Sequence, residues 1–142
     1  MMYQIPRTRL QAEFRHSSHA KEVELGGQTY ATLGFSGSPP GFHATFDRVS
    51  EILMTLPRMY FEPDGSFAWT GTLDGNDWRI EGVMYDEGPR LSYIELSGNC
   101  PPNDFDQFLA AVGWPAAPVM FQLVEAGVYL AEKEFRRLAS GE

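Results

Sequence analysis

Three histidines, one cysteine and a scatter of carboxylates are the side chains in this 142-residue sequence whose chemistry depends on their neighbours. His16 and His19 stand three residues apart, and His43 follows a Pro-Pro loop. A structural zinc site takes four ligands and a catalytic one three, so the pair alone is short of either. His16, His19 and His43 would need a carboxylate to complete a site. Two loop histidines are the simpler reading, and no metal or other cofactor is expected. Cys100 lies between Gly98-Asn99 and Pro101-Pro102. A nucleophilic thiol needs a histidine base and a lowered pKa. A place between a strand end and a helix cap would favour a thiolate, but the flanking residues match no thiol-enzyme signature. The expectation is a small buried or half-buried thiol. Asp74-Gly-Asn-Asp77 has the oxygens of a cation loop, yet lacks the spacing and terminal glutamate of an EF-hand. A tight turn accounts for it.

Glu62, Glu81 and Glu95 fall on one strand face with Arg79. Paired carboxylates do acid–base work when their surroundings push their pKa values apart. Cross-strand charge pairing is the plainer account. The sequence has no Gly-x-Ser-x-Gly elbow and no His-Glu-x-x-His. Gly34–Gly41 is rich in glycine and proline but contains neither Gly-x-Gly-x-x-Gly nor a Walker lysine, so it reads as a loop rather than a phosphate cradle. These groups leave no catalytic residue to name and favour a binding domain over an enzyme.

The elements that must position such groups follow from composition and pattern. Hydrophobic residues at 43% and charged residues at 21% exclude a disordered chain or a coiled coil. The length suits a single domain over 1–142. No apolar run approaches the roughly 20 residues that span a bilayer. The net charge of −8 argues against nucleic-acid and membrane partners. One cysteine allows no intrachain disulfide, and the N-terminus lacks the apolar core of a secretory signal, so a cytoplasmic location is expected. The charge is uneven. Arg7, Arg9, Arg15 and Lys21 are opposed only by Glu13 over 1–21, whereas 62–106 holds ten acids against Arg79 and Arg90. One region could dock on the other in a second copy. A solvated acidic surface is the simpler account.

Arg9 to Arg15 alternates, with Leu10, Ala12 and Phe14 on one side, and reads as a half-buried strand. Gly26-Gly27 between two strand-like runs predicts a hairpin that sets Val23 beside Tyr30. Phe46, Val49, Ile52, Leu53 and Leu56 predict a helix over about 45–56, stopped by Pro57. A four-strand antiparallel meander is expected over about 58–97. The Pro63-Asp-Gly65 turn pairs Phe61 with Phe67 and Met59 with Trp69. A Gly75-Asn76 turn pairs Leu73 with Trp78, Trp69 with Gly82 and Phe67 with Met84. Asp86 to Arg90 closes the last hairpin, with Ile94 opposite Gly82 and Leu96 opposite Ile80. In that register Met59, Phe61, Phe67, Trp69, Leu73, Trp78, Ile80, Met84, Ile94 and Leu96 share one face. Such an aromatic stripe could stack bases, but its neighbours are not basic, and core packing is expected. The other face is mixed and includes Tyr60, Val83, Leu91 and further tyrosines. Asn103 is the expected cap of a helix over about 103–113. A further helix is expected from Pro118 to Gly127, then a short last helix with the Glu132–Arg136 pair and buried Phe135 and Leu138.

The fold class is therefore α+β: an antiparallel sheet packed on one face by helices 45–56 and 103–113. The N-terminal strands either extend that sheet or cover its other face, and short helices end the chain. The leading functional reading is an acidic, cytoplasmic, non-enzymatic binding or adaptor domain that acts through contact with a protein partner or with itself as a homodimer. Its contact face would be the mixed face with Tyr60, Arg79, Glu81, Tyr85, Tyr93 and Glu95, together with His43. The alternative is a small-molecule pocket or an enzyme between this face and the 34–43 loop.

Overall fold

The computed structural model describes residues 2–13, 18–34 and 39–141. The described residues form nine strands and three helices: β1 (Tyr3–Ala12), β2 (Ser18–Leu25), β3 (Gln28–Gly34), α1 (Phe46–Leu53), β4 (Met59–Phe61), β5 (Ser66–Leu73), β6 (Asn76–Glu87), β7 (Arg90–Cys100), α2 (Pro102–Ala110), β8 (Val119–Leu123), β9 (Val128–Ala131) and α3 (Glu132–Ser140). The strands form one sheet in the order β2-β3-β9-β8-β1-β7-β6-β5-β4. Every pairing is antiparallel. The class is α+β with the sheet predominating.

The first strand runs through the middle of the sheet. Leu10 lies opposite Ile94 of β7 and Phe121 of β8, so the apolar side of β1 continues the apolar sides of both neighbours. The β2–β3 hairpin turns at Gly26-Gly27, sets Val23 against Tyr30, and joins the sheet through Leu33 opposite Tyr129. Phe14, His16 and residues 35–38 of the Gly34–Gly41 loop lie outside the described residues.

All three helices contribute to the single hydrophobic core on one face of the sheet. From α1 come Val49 and Leu53, from α2 Phe105, Phe108 and Leu109, and from α3 Phe135 and Ala139. Helix α2 bridges the sheet's two halves. Phe108 meets Phe67 and Trp69 at ring separations of 5.6 and 6.2 Å. Phe105 meets Tyr3, Phe121 and Phe135 at 5.7–6.1 Å. The buried indole of Trp69 donates its N–H to the Pro57 carbonyl at 2.9 Å, so its polar atom is satisfied.

The strands β4 to β7 lie side by side in chain order. Met59 pairs with Trp69 and Phe61 with Phe67, as the Pro-Asp-Gly turn dictates. The next two registers differ by two residues from the expected ones. Trp69 lies opposite Ile80, Phe67 opposite Gly82 and Leu73 opposite Asn76. Gly82 lies opposite Leu96, and Ile80 opposite Gly98. The turn is Asp74-Gly75, not Gly75-Asn76, and both residues take the positive φ that a tight hairpin turn of this kind requires. The glycines make room for different rings from those expected: Trp78 lies over Gly71, and Phe67 over Gly82, where a Cβ would stand only 2.7 Å from the ring. A further irregularity after Tyr85 moves Leu91 off the mixed face and into the core.

Residues 119–123 form a strand, not the expected helix. Val119, Met120 and Phe121 are all buried, so the strand shows no alternation, and its neighbours β1 and β9 decide its conformation. Gly127 turns the β8–β9 hairpin instead of ending a helix. Only one helix, α3, follows. Helix α2 begins one residue early, with Pro101 at the cap position and Pro102 in the first turn, and Asn103 does not cap it. Helix α1 is shorter than its apolar stripe, starting after the Thr45 cap and ending at Leu53.

Candidate functional site

The strands expose their second face, on the side away from the helices. Tyr60 is 65% exposed on β4 and Tyr85 39% exposed on β6. Strand parity then puts Arg79, Glu81 and Val83 of β6, Tyr93 and Glu95 of β7, and Arg7 and Arg9 of β1 on this same surface. A shallow open groove of about 520 Å³ crosses it, lined by Arg7, Tyr60, Glu62, Arg79, Glu81 and Glu95 among others. Four residues singled out from the sequence, Tyr60, Arg79, Glu81 and Glu95, therefore share one groove.

Its charges pair with one another, although Arg9 Nε is buried without a hydrogen-bond partner among the described residues. Arg79 Nε lies 2.5 Å from Glu81 Oε1. Arg7 and Arg9 bracket Glu95, at 3.0 and 3.6 Å from its two oxygens. The Tyr60 hydroxyl donates to Glu62 at 2.6 Å. That hydrogen bond, together with the Glu62 charge, raises the Tyr60 pKa. These are cross-strand and near-neighbour pairs of modest strength at a wet surface. They supply neither an unpaired base nor an aimed nucleophile.

Beyond the groove the same face carries an aromatic and cationic ladder. Tyr85 and Tyr93 face each other across the β6–β7 pair with ring centroids 4.6 Å apart. The Arg9 guanidinium sits 4.9 Å from the Tyr93 centroid. Arg7 and Arg9 are the members of this surface that the sequence pattern did not assign to it. Their alternation with Thr8 and Leu10 was the available signal.

His43 stands apart. It is exposed and borders a different cavity, beside Glu13 and Arg90. His19 lies on β2 opposite Leu33. Among the described residues no three histidine, cysteine or acidic side chains are placed to hold a metal ion.

Cys100 ends β7 as a fully buried thiol. Burial, reinforced by the Asp104 charge and partly offset by Arg136, pushes its pKa up to about 12. The thiol is buried, as expected, and its place before α2 does not make it a thiolate. The native thiol should therefore resist an aromatic disulfide reagent at pH 8 and react once denaturant unfolds the chain. The sign for stability also follows. A thiol whose folded pKa is raised contributes stability below its unfolded pKa and loses it as pH rises through the folded value. Wild type should lose stability relative to Cys100→Ala between about pH 9 and pH 12. Parallel alkaline denaturation curves for the two proteins would contradict this.

Comparison with protein-family models, curated proteins and solved structures found no match for the chain. The fold defines the class: an α+β domain on one antiparallel sheet, in which no described helix is long and apolar enough to cross a membrane.

Proposed function

We propose that this protein is a non-enzymatic binding or adaptor domain, acidic and cytoplasmic, whose open sheet face contacts a protein partner or a second copy of the chain. The observation that carries the reading is the one-sided placement of the helices. It leaves a broad face of tyrosines and arginines whose charges are already compensated. Tyrosine and arginine concentrate in the energetic centres of protein interfaces. Compensated charges also cost less to cover than isolated ones. The β4–β7 meander gives such a face a stiff frame. Its two arginine–glutamate groups could be met by the same groups of a symmetry-related copy, as a homodimer would require. The small-molecule or enzyme reading has less support on this face, since the groove is open and His43 lies elsewhere.

Replacing Tyr60 and Tyr85 together by serine should lower stability only modestly, by about 0.5–1.5 kcal/mol for the lost Tyr85–Tyr93 stack, because both residues are exposed. It should also weaken capture of the partner by about thirtyfold or more, the effect of losing interface centres worth 2 kcal/mol or more. Quantitative affinity capture from the native host, together with sedimentation of the pure protein, measures both partner and self-association. Undiminished binding by the folded double variant would overturn the assignment of the face.

A further inference from the structure

A second cavity, of about 560 Å³, opens where β1 ends against the loop between α2 and β8. Small-molecule sites have this size and are largely apolar, with a few convergent polar groups. Ala12, Phe42, Val112 and Pro118 supply apolar wall, while Glu13, His43 and Arg90 supply the polar groups. The frame is tied by backbone hydrogen bonds, from Glu13 N–H to Pro118 at 3.0 Å and from Phe42 N–H to Leu91 at 2.8 Å. Phe42 is buried, and its carbonyl accepts from Arg90 Nε at 3.1 Å, which anchors the guanidinium at the cavity.

The cavity differs from the open face in its charge pairing. Among the described residues, neither Glu13 nor Arg90 takes part in an ion pair, with each other or with any other side chain. Burial raises the Glu13 pKa, as it does for a carboxylate losing water without gaining a cation. One wall thus offers a half-buried carboxylate, and another an exposed guanidinium anchored at its Nε.

We propose that this cavity binds a small zwitterion of the α-amino-acid class with an apolar side chain. Glu13 takes the ammonium, Arg90 takes the carboxylate with His43 beside it, and the apolar wall takes the side chain. The site is separate from the open face, and its function is independent of the docking reading.

The test is saturation-transfer NMR and thermal shift on the full chain with L-leucine and L-phenylalanine. Isocaproate, which is leucine without its amino group, and isoamylamine, which lacks the carboxylate, serve as comparators. A dissociation constant of about 1 mM or tighter is expected for at least one amino acid. Each comparator should bind at least about tenfold more weakly than leucine, as loss of one charged contact implies. Glu13→Gln should weaken leucine binding by about the same factor and leave isocaproate unchanged, and Arg90→Gln should weaken both. Absence of binding by both amino acids, or isocaproate binding as well as leucine, would overturn the proposal. The comparators act on wild type, so a variant that fails to fold does not remove the test.

Discussion

Truncation of Phe105 to alanine is expected to lower stability by about 3–5 kcal/mol, the upper part of the range for core substitutions. Phe105 is fully buried on α2. It meets Tyr3 edge-on at 5.7 Å and stacks near Phe121 and Phe135, which themselves lie 4.0 Å apart. These rings come from β1, β8 and α3, so one deletion loosens the seam that joins α2 to three other elements. Domains of this size have about 5–15 kcal/mol in total, so the variant would be marginal. Urea denaturation should show a lower midpoint with an unchanged slope. Phe61→Ala, at the half-buried margin of the sheet, should cost far less. A loss below about 1.5 kcal/mol for Phe105→Ala would mean that α2 is not seated as described.

Arg136→Met is expected to have the second-largest effect, about 2–4 kcal/mol. Arg136 is 17% exposed, and its Nη2 lies 2.7 Å from Asp106 while its Nε pairs with Glu132 one helical turn away. Its guanidinium also lies 4.9 Å from the Trp114 ring and 5.4 Å from Phe105. Burial by itself would lower its pKa, but the Tyr3 hydrogen bond and the two carboxylates more than offset this and raise it. The methionine keeps much of the packing and strands two acids, so the loss reports the charge. Asp106 is 45% exposed and water recovers part of its solvation, which holds the loss short of the largest buried-pair values. Arg136→Lys should recover only part, because one ammonium cannot reach Asp106, Glu132 and Tyr3 at once. Equal stability of the methionine and wild-type proteins in urea would contradict a structural role for this ion-pair group.

The helical face of β4–β7 was readable from the sequence because its register errors came in steps of two. Moving the turn from Gly75-Asn76 to Asp74-Gly75 exchanges the partner of Trp69 from Gly82 to Ile80 without turning either strand over. Tyr60, Arg79, Glu81 and Glu95 could be grouped for the same reason. Leu91 was misplaced where an irregularity breaks that parity. The C-terminal half was less legible. The run from Val119 to Leu123 fits a buried strand or one side of a helix equally well, and only its partners β1 and β9 distinguish them. The central position of β1 rests on contacts between Leu10 and residues more than eighty positions away, which local periodicity does not carry. The same distance in sequence hides Arg7 and Arg9 from the open face, and His43 lies at a separate cavity.

The most direct test of the docking face is hydroxyl-radical footprinting of the free protein and of its captured complex. Tyr60 and Tyr85, exposed on the face away from the helices, should oxidise readily in the free protein and be protected in the complex. Buried Trp69 should be unreactive in both, which verifies that the fold is intact. Unchanged oxidation of both tyrosines in a complex that protects some other surface would contradict the account.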